Sequence, residues 1–260
     1  MTIDNATINA DHDFRASYDQ ATVVVPACYA GGKIKRGKMT DMIELLLQLK
    51  SAGGQYLVLI FLQGSRYLQY EQRIANWIVD RFNIILIAPA THELAGRPGY
   101  TSPTATEIYQ RVHRYRLNEL DYVVNRLADL IALDDNNLLL MGQSEGAVAV
   151  GTWQGKASAR ILLAWSCEHN YFSRDHVLAG DCESTWMLNI VGSKDEYFAN
   201  ENSLSSEDGV TGHGTKNLSR FKNAKVIIYP GWGHRILEHP NAGYDIAAFV
   251  EQFCAGLETD

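Results

Sequence analysis

The chain has 260 residues, 46% of them hydrophobic, and a formal net charge of −7 at pH 7. A chain of this size buries a large core, and no linker rich in proline, glycine or serine divides it, which predicts one domain over residues 21–260 after a polar segment over residues 1–20. The acidic balance, with charges of both signs interspersed, argues against a nucleic-acid-binding protein, which usually presents a basic face.

Strands alternate with helices along the chain. Strands are predicted over residues 21–27, 56–62, 84–88, 137–143, 159–164, 186–191 and 224–229, helices over residues 39–49, 71–81, 107–130 and 244–257, and an irregular loop over residues 91–106. Unbroken apolar runs such as residues 56–62 (YLVLIFL) are typical of strands buried on both faces of a parallel sheet. The alternation predicts an α/β fold with a mainly parallel central sheet and helices on both faces.

Residues 137–151, NLLLMGQSEGAVAVG, contain the most informative motif of the chain. An apolar run enters Gly142-Gln143-Ser144-Glu145-Gly146, and a small-residue segment follows. This pattern indicates a nucleophile elbow, in which a serine sits on a tight strand-to-helix turn and the next backbone N–H faces a developing oxyanion. Ser144 is the predicted nucleophile and the amide of Glu145 one oxyanion donor. A five-residue match is weak alone, and an ordinary turn is its alternative.

Ligands of open α/β sheets bind at the carboxyl ends of the strands, so the residues directly after each strand are the candidates for a functional site. Gln63, Gly64 and Ser65 follow the strand predicted over residues 56–62. A glycine there lets the backbone approach a ligand closely, and the N–H of Ser65 is the predicted second oxyanion donor. A plain glycine turn is the alternative interpretation of this segment.

An acid and a histidine follow two later strands. Asp195 comes after residues 186–191 and is the predicted partner of a catalytic histidine, with Glu196 and Glu168 as further candidates. His234 follows residues 224–229 in a glycine-containing loop, and His239 is its alternative. Neither a metal site nor an organic cofactor is expected, because the four cysteines form no C-x-x-C pair and the predicted chemistry needs neither.

The order Ser144, Asp195, His234, each after a strand, resembles the α/β-hydrolase fold. Within it, the segments 142–146, 192–196 (GSKDE) and 229–234 (YPGWGH) are similar to the dienelactone-hydrolase-like branch. The resemblance spans about residues 23–257 and implies a serine esterase. Two departures matter: relatives usually carry His-Gly where this chain has Gln63-Gly64, and dienelactone hydrolase itself uses a cysteine nucleophile. The dienelactone substrate is therefore not implied.

The expected reaction is hydrolysis of a small ester through an acyl-enzyme on Ser144. Only about twenty residues separate the strands at 159–164 and 186–191, which predicts a minimal lid and an open site. Aromatic residues near the predicted rim, as well as Gln63 and Gly64, are candidates for a substrate pocket. The aromatic candidates are Tyr67, Trp165, Tyr171, Phe172, Tyr197 and Trp232. A serine peptidase or amidase on the same fold, and a non-catalytic binding protein, are the alternatives.

The sequence predicts a cytoplasmic location for the protein. No run approaches ~18 apolar residues, and the start shows no charged-then-apolar signal pattern, so we expect no membrane partner. The periplasm is left open, as is a homodimer. Cys167 and Cys182 flank one loop and could form a disulfide in an oxidising compartment, although buried free thiols are the expected state. The segment between Asn200 and Lys216 is predicted to be a mobile loop beside the acid.

Overall fold

The computed structural model describes residues 14–66, 68–94, 96–134, 136–174, 176–201 and 209–257. In chain order the elements are α1 (Arg15–Asp19), β1 (Thr22–Val25), β2 (Lys35–Lys38), α2 (Met39–Ser51), β3 (Leu57–Leu62), α3 (Glu71–Ile74, a π-helical turn Ala75–Val79, and Asp80–Phe82), β4 (Ile84–Ala88), α4 (Thr106–Leu130), β5 (Leu138–Gln143), α5 (Glu145–Thr152), β6 (Ala159–Leu163), β7 (Trp186–Gly192), α6 (Thr215–Leu218), β8 (Asn223–Tyr229) and α7 (Ala242–Leu257). Short 3₁₀ turns lie at Thr91–Glu93 and Ile236–Glu238.

The strands described here form one eight-stranded sheet in the order β2-β1-β4-β3-β5-β6-β7-β8. From β4 to β8 every pairing is parallel, whereas β1 runs antiparallel to β2 and β4. The carboxyl ends of β3, β5, β6, β7 and β8 therefore lie along the same edge. The predicted α/β class with a mainly parallel sheet is confirmed.

Helices cover both faces of the sheet. In the strand β3, Val58, Ile60 and Leu62 pack toward α2, α4 and α5 on one face of the sheet. Leu59 and Phe61 pack toward α3 and α7 on the other face. Successive side chains of a strand point to opposite faces, so a run of apolar residues needs an apolar cover on each side. Each fully buried side chain of this size contributes roughly 1.5–3 kcal/mol to the free energy of unfolding.

The elements missing from the prediction are short or polar. β2 has the sequence Lys-Arg-Gly-Lys, mostly exposed, and forms the edge of the sheet through antiparallel pairing with β1. Charged residues are common on edge strands because they discourage pairing with another chain. Of the predicted polar segment, residues 1–13 lie outside the described residues, and α1 with its preceding residue buries Phe14 and Tyr18.

Candidate active site

The turn between β5 and α5 holds Ser144 in an unusual backbone conformation. Its φ of +54° and ψ of −120° lie in a region that non-glycine residues rarely adopt. Two hydrogen bonds fix this conformation, since the N–H of Ser144 donates to the carbonyl of Leu163 at 2.8 Å and its carbonyl accepts from the N–H of Val148 at 3.1 Å. The turn therefore has the backbone geometry of a nucleophile elbow.

Three glycines make room for this turn. A Cβ on Gly142 would lie 2.2 Å from the carbonyl oxygen of Gly146, and a Cβ on Gly146 would lie 2.2 Å from that of Leu62. Both distances are well below van der Waals contact, and backbone atoms cannot give way cheaply. A Cβ on Gly64 would lie 3.3 Å from the Cβ of Ser144, so the loop after β3 runs directly beside the serine.

Ser144, His234 and Asp195 form a continuous chain of hydrogen bonds. Nε2 of His234 lies 2.8 Å from Oγ of Ser144, and Nδ1 lies 2.7 Å from Oδ2 of Asp195. Asp195 is 2% exposed, and its Oδ1 accepts the backbone N–H groups of Tyr197 at 2.8 Å and Phe198 at 3.0 Å. The second carboxylate oxygen is thereby left for the imidazole.

The neighbouring carboxylate, that of Glu196, contacts a different part of His234. Its Oε2 accepts the backbone N–H of His234 at 2.9 Å, so it holds the main chain of the histidine instead of its ring. Gly192 lets the two loops meet, because a Cβ there would lie 2.3 Å from the carbonyl oxygen of Trp232. The ring of Tyr197 packs edge-on against that of His234, with centroids 4.7 Å apart.

The other two candidates lie away from Ser144. His239 stacks on Tyr229 with ring centroids 3.6 Å apart. Glu168 accepts from the backbone N–H and hydroxyl of Thr211 and from the N–H of Gly212, so its carboxylate ties down one end of the loop predicted between Asn200 and Lys216. Residues 202–208 of that loop lie outside the described residues.

A buried ionic network lies beneath the turn, and it is absent from the sequence-based expectations. The side chain of Glu145 is 1% exposed and pairs with Arg97 at 2.8 Å and with Arg116 at 3.6 Å. The hydroxyl of Tyr100 donates to the same carboxylate at 3.0 Å. Burial, and then the Glu145 carboxylate, raise the pKa of Tyr100, so the phenol stays protonated.

The same arginines reach the loop after β3. Arg116 donates to the carbonyl of Gln63 at 3.0 Å, and the guanidinium of Arg97 lies 3.5 Å from the carbonyl of Ser65. Arg116 also pairs with Glu119 at 3.1 Å. The carboxylate of Glu145 therefore connects, through two cations, the residue after Ser144 to the loop that passes beside Ser144.

A cavity of about 190 Å³ opens next to Ser144. Its lining includes Gly64, Ser65, Arg66, Leu68, Tyr100, Ser102, Tyr109, His113, Gln143, Glu145, Phe172, Glu196, Tyr197, Phe198, His234 and Arg235. Gly64, Tyr197 and Phe172 were predicted to line a pocket here. Tyr100, Tyr109 and His113 were not, because they come from a loop and a helix distant in sequence from every motif.

Four predicted pocket residues lie elsewhere, among them Tyr171, whose hydroxyl donates to the carbonyl of Thr104 at 2.7 Å, and a fifth, Tyr67, falls outside the described residues. Trp165 is buried beneath α5, where its indole N–H donates to Ser173 at 3.0 Å. The indole of Trp232 turns back to the carbonyl of Arg235 at 3.1 Å. Gln63 is buried and lines a different cavity, beside Glu71. Strand-end position alone could not show which way these side chains turn.

No protein-family model matches the chain, and no curated protein matches it in sequence. Solved structures match the chain in their fold. The superposition on esterase PE8 covers 77% of this chain and 94% of the esterase chain, with a TM-score of 0.56 and 16% sequence identity. The chain has the α/β-hydrolase fold. The predicted fold is thereby confirmed.

Two further structures share this α/β-hydrolase fold. A protein of Klebsiella pneumoniae subsp. pneumoniae MGH 78578, assigned as a dienelactone hydrolase, covers 77% of this chain and 88% of its own, with a TM-score of 0.52 and 18% identity. Atu2452 of Agrobacterium tumefaciens str. C58, a protein of unknown function, covers 77% and 93%, with a TM-score of 0.50 and 12% identity. At these identities the likeness concerns the fold.

Two properties of the described residues bear on partners. No helix among them is long and apolar enough to cross a membrane. Within the same part of the chain, no group of three or more histidine, cysteine, aspartate and glutamate side chains is arranged to hold a metal ion. Cys167 and Cys182 are free thiols in this structure.

Proposed function

We propose that the protein is a serine hydrolase that cleaves small carboxylic esters through an acyl-enzyme on Ser144. The observation that supports this most directly is the hydrogen-bonded chain from Asp195 through His234 to Ser144, with distances of 2.7 and 2.8 Å. A nucleophile, a base and a group that orients the base are what acyl transfer requires.

Acylation begins when Nε2 of His234 takes the proton of Ser144 and Oγ attacks the ester carbonyl carbon. The oxyanion that forms accepts hydrogen bonds from the backbone N–H groups of Ser65 and Glu145. The C–O bond to the alcohol then breaks, and His234 returns the proton to the leaving alkoxide. Each oxyanion donor of this kind contributes about 10²- to 10³-fold to the rate.

Deacylation repeats these steps with water. His234 takes a proton from the water molecule, hydroxide attacks the acyl carbon, and the proton returns to Oγ of Ser144 as the acid leaves. Asp195 stays ionised throughout, keeps the Nδ1–H tautomer of His234 and stabilises the imidazolium that forms in both halves of the reaction.

The size of the cavity supports a small substrate. Its volume of about 190 Å³ is smaller than the ~300–1,000 Å³ that is typical of pockets for drug-sized ligands. The segment between β6 and β7 is also short, so it adds no separate lid domain. A compact acyl group fits these dimensions better than a long lipid chain does.

A fluorophosphonate probe tests the proposal, because it phosphonylates only an activated serine. We expect the purified protein to be labelled at Ser144, as located by peptide mass spectrometry, and to hydrolyse p-nitrophenyl acetate and butyrate. A protein that binds ligands without catalysis would give neither result. Labelling combined with turnover of an aminoacyl amide, and none of esters, would instead support an amidase.

The network around Glu145 leads to a second prediction. In Glu145→Gln the buried arginines lose their shared anion, so we expect the free energy of unfolding to fall by about 3 kcal/mol. The loop of Gln63 and Ser65 should also shift, and because a misplacement of ~1 Å can cost about 10²-fold, we expect kcat to fall by about 10- to 100-fold. Urea unfolding and ester kinetics measure the two effects.

Glu251→Gln is the matched control for Glu145→Gln. Glu251 is 63% exposed and pairs with Arg81 at 3.3 Å on the surface, so the same substitution should cost less than about 1 kcal/mol and leave kcat unchanged. If Glu145→Gln lost stability but kept the full kcat, the network would stabilise the fold without positioning the oxyanion donors.

A further inference from the structure

Two buried polar side chains line the cavity beside Ser144 without taking part in the proposed reaction. His113 comes from the middle of α4, and Gln143 is the last residue of β5. Each is 4% exposed. Burying a polar group without a hydrogen-bond partner is unfavourable, so such groups in a binding pocket indicate a polar group on the ligand.

His113 is held in a fixed orientation by a second histidine. Its Nδ1 lies 2.9 Å from Nε2 of His176, and its Nε2 has no hydrogen-bond partner among the described residues. Burial, and then His176 and Arg116, lower the pKa of His113 to about 3, so the ring is neutral near pH 7. Nε2 is a donor or an acceptor, depending on which of the two rings donates in the pair.

Gln143 contributes a side-chain amide to the lining of the same cavity. Its Oε1 is buried and lacks a hydrogen-bond partner within the described part of the chain. An unpaired buried acceptor of this kind is unfavourable, and because Oε1 has almost no surface on the cavity, the amide must rotate before Oε1 can accept from a ligand donor. The residue directly precedes Ser144, so a ligand group bound here is close to the reacting carbon.

Most of the other side chains around this part of the cavity are aromatic. The rings of Tyr109 and Phe198 both pack edge-to-face against Phe172, with centroid distances of 5.4 and 5.7 Å. All three line the cavity, as do Tyr100 and Tyr197. Aromatic walls favour planar groups, because a ring can form further edge-to-face or offset contacts with them.

Building on the proposed ester hydrolysis, we propose that this cavity selects esters whose acyl group is a compact ring carrying a hydroxyl, and that His113 and Gln143 bind that hydroxyl. A hydroxyl can both donate and accept, so it can pair with either tautomer of His113 and with the amide of Gln143. The ring fills the space between the aromatic side chains. His113 and Gln143 are thus specificity-determining residues, separate from the triad.

Methyl phenylacetate and its three monohydroxy isomers test this inference. The methylene group insulates the ester electronically from the ring hydroxyl, so rate differences report binding. We expect at least one isomer to have a kcat/KM about 10-fold above that of the unsubstituted ester, since one hydrogen bond contributes about 1.4 kcal/mol. In His113→Leu and Gln143→Leu that ratio should fall below about 2-fold, whereas His113→Gln, which keeps a donor and an acceptor, should retain part of it.

His92→Gln is the matched control, because His92 is exposed and outside the cavity, and its ratio should equal that of the wild type. A measurement on the wild-type protein removes any dependence on variant folding. Phenol should protect Ser144 from the fluorophosphonate at about a 10-fold lower concentration than anisole, which cannot donate a hydrogen bond.

The outcomes separate this inference from the proposed function. If none of these esters nor the p-nitrophenyl esters is hydrolysed, the proposed function itself fails. If all the phenylacetates are hydrolysed at equal rates, or phenol and anisole protect equally, esterase activity stands and the hydroxyl preference is overturned. A preference for esters bearing a carboxylate, drawn by Arg66 and Arg235 at the cavity, would also overturn it.

Discussion

Ser144→Ala is expected to lower the turnover of p-nitrophenyl acetate and butyrate by about 10⁶-fold, because loss of a triad nucleophile removes the covalent route altogether. The substitution deletes only Oγ. The Cβ remains, so the backbone strain at φ +54° and the packing beside Gly64 are unchanged. We therefore expect the unfolding midpoint in urea to stay within error of the wild-type value. Initial rates at matched protein concentrations measure the effect.

Ser51→Ala is the control for Ser144→Ala, since Ser51 is an exposed residue at the end of α2 whose hydroxyl donates to the carbonyl of Leu47 in its own helix. Its rate should equal that of the wild type. Turnover of the esters by Ser144→Ala at more than about 1% of the wild-type rate would contradict the acyl-enzyme mechanism, because the residual activity of such variants is far lower.

Glu145 illustrates a residue with two separate tasks. The sequence motif assigns a task to its backbone N–H, which follows the nucleophile directly. Its carboxylate has another, since it is buried between Arg97 and Arg116 and these contact the carbonyls of Ser65 and Gln63. The carboxylate balances the charge of two guanidinium groups, and the removal of one member of such a buried ion pair leaves its partner's charge uncompensated. The proposed oxyanion donors thus rest on one ionic cluster.

The fold was predictable because its core strands are continuous apolar runs. Residues 84–88 form β4 with the predicted bounds, and the predicted helix over residues 107–130 matches α4 within one residue. Such runs carry the signal of burial on both faces. The strand β2 carries no such signal, since its residues are charged and exposed, and only pairing with β1 makes it a strand. Local sequence cannot reveal pairing of that kind.

The candidate site was predictable only where it follows strand ends. Ser144, Asp195 and His234 stand in loops after β5, β7 and β8, and parallel strands bring those loops to one edge. Arg116 and His113 lie on α4 instead, where helical periodicity predicts which face is buried but not which polar residue that face contains. A search for sequence motifs therefore does not identify Arg116 and His113 as residues of the site.

Asp195→Asn is expected to lower kcat/KM by about 10⁴-fold, and the hydrogen bonds of Asp195 explain why. Its Oδ1 accepts two backbone N–H groups, from Tyr197 and Phe198, so an asparagine would place its only oxygen there. The NH₂ group would then face Nδ1 of His234. To accept from it, the ring must move its proton to Nε2, which turns the base that faces Ser144 into a donor.

Glu196→Gln separates the two adjacent carboxylates. Glu196 accepts the backbone N–H of His234, and a glutamine oxygen can accept that same bond, so kcat/KM should fall by less than about 10-fold. If the two amides were equally damaging, the tautomer argument would fail and charge near His234 would matter more than geometry. Asp195→Asn keeps the shape of the side chain, removes its charge and replaces the acceptor that faces Nδ1 of His234 with a donor, so a large loss confined to this variant would tie the rate to the group that holds this imidazole.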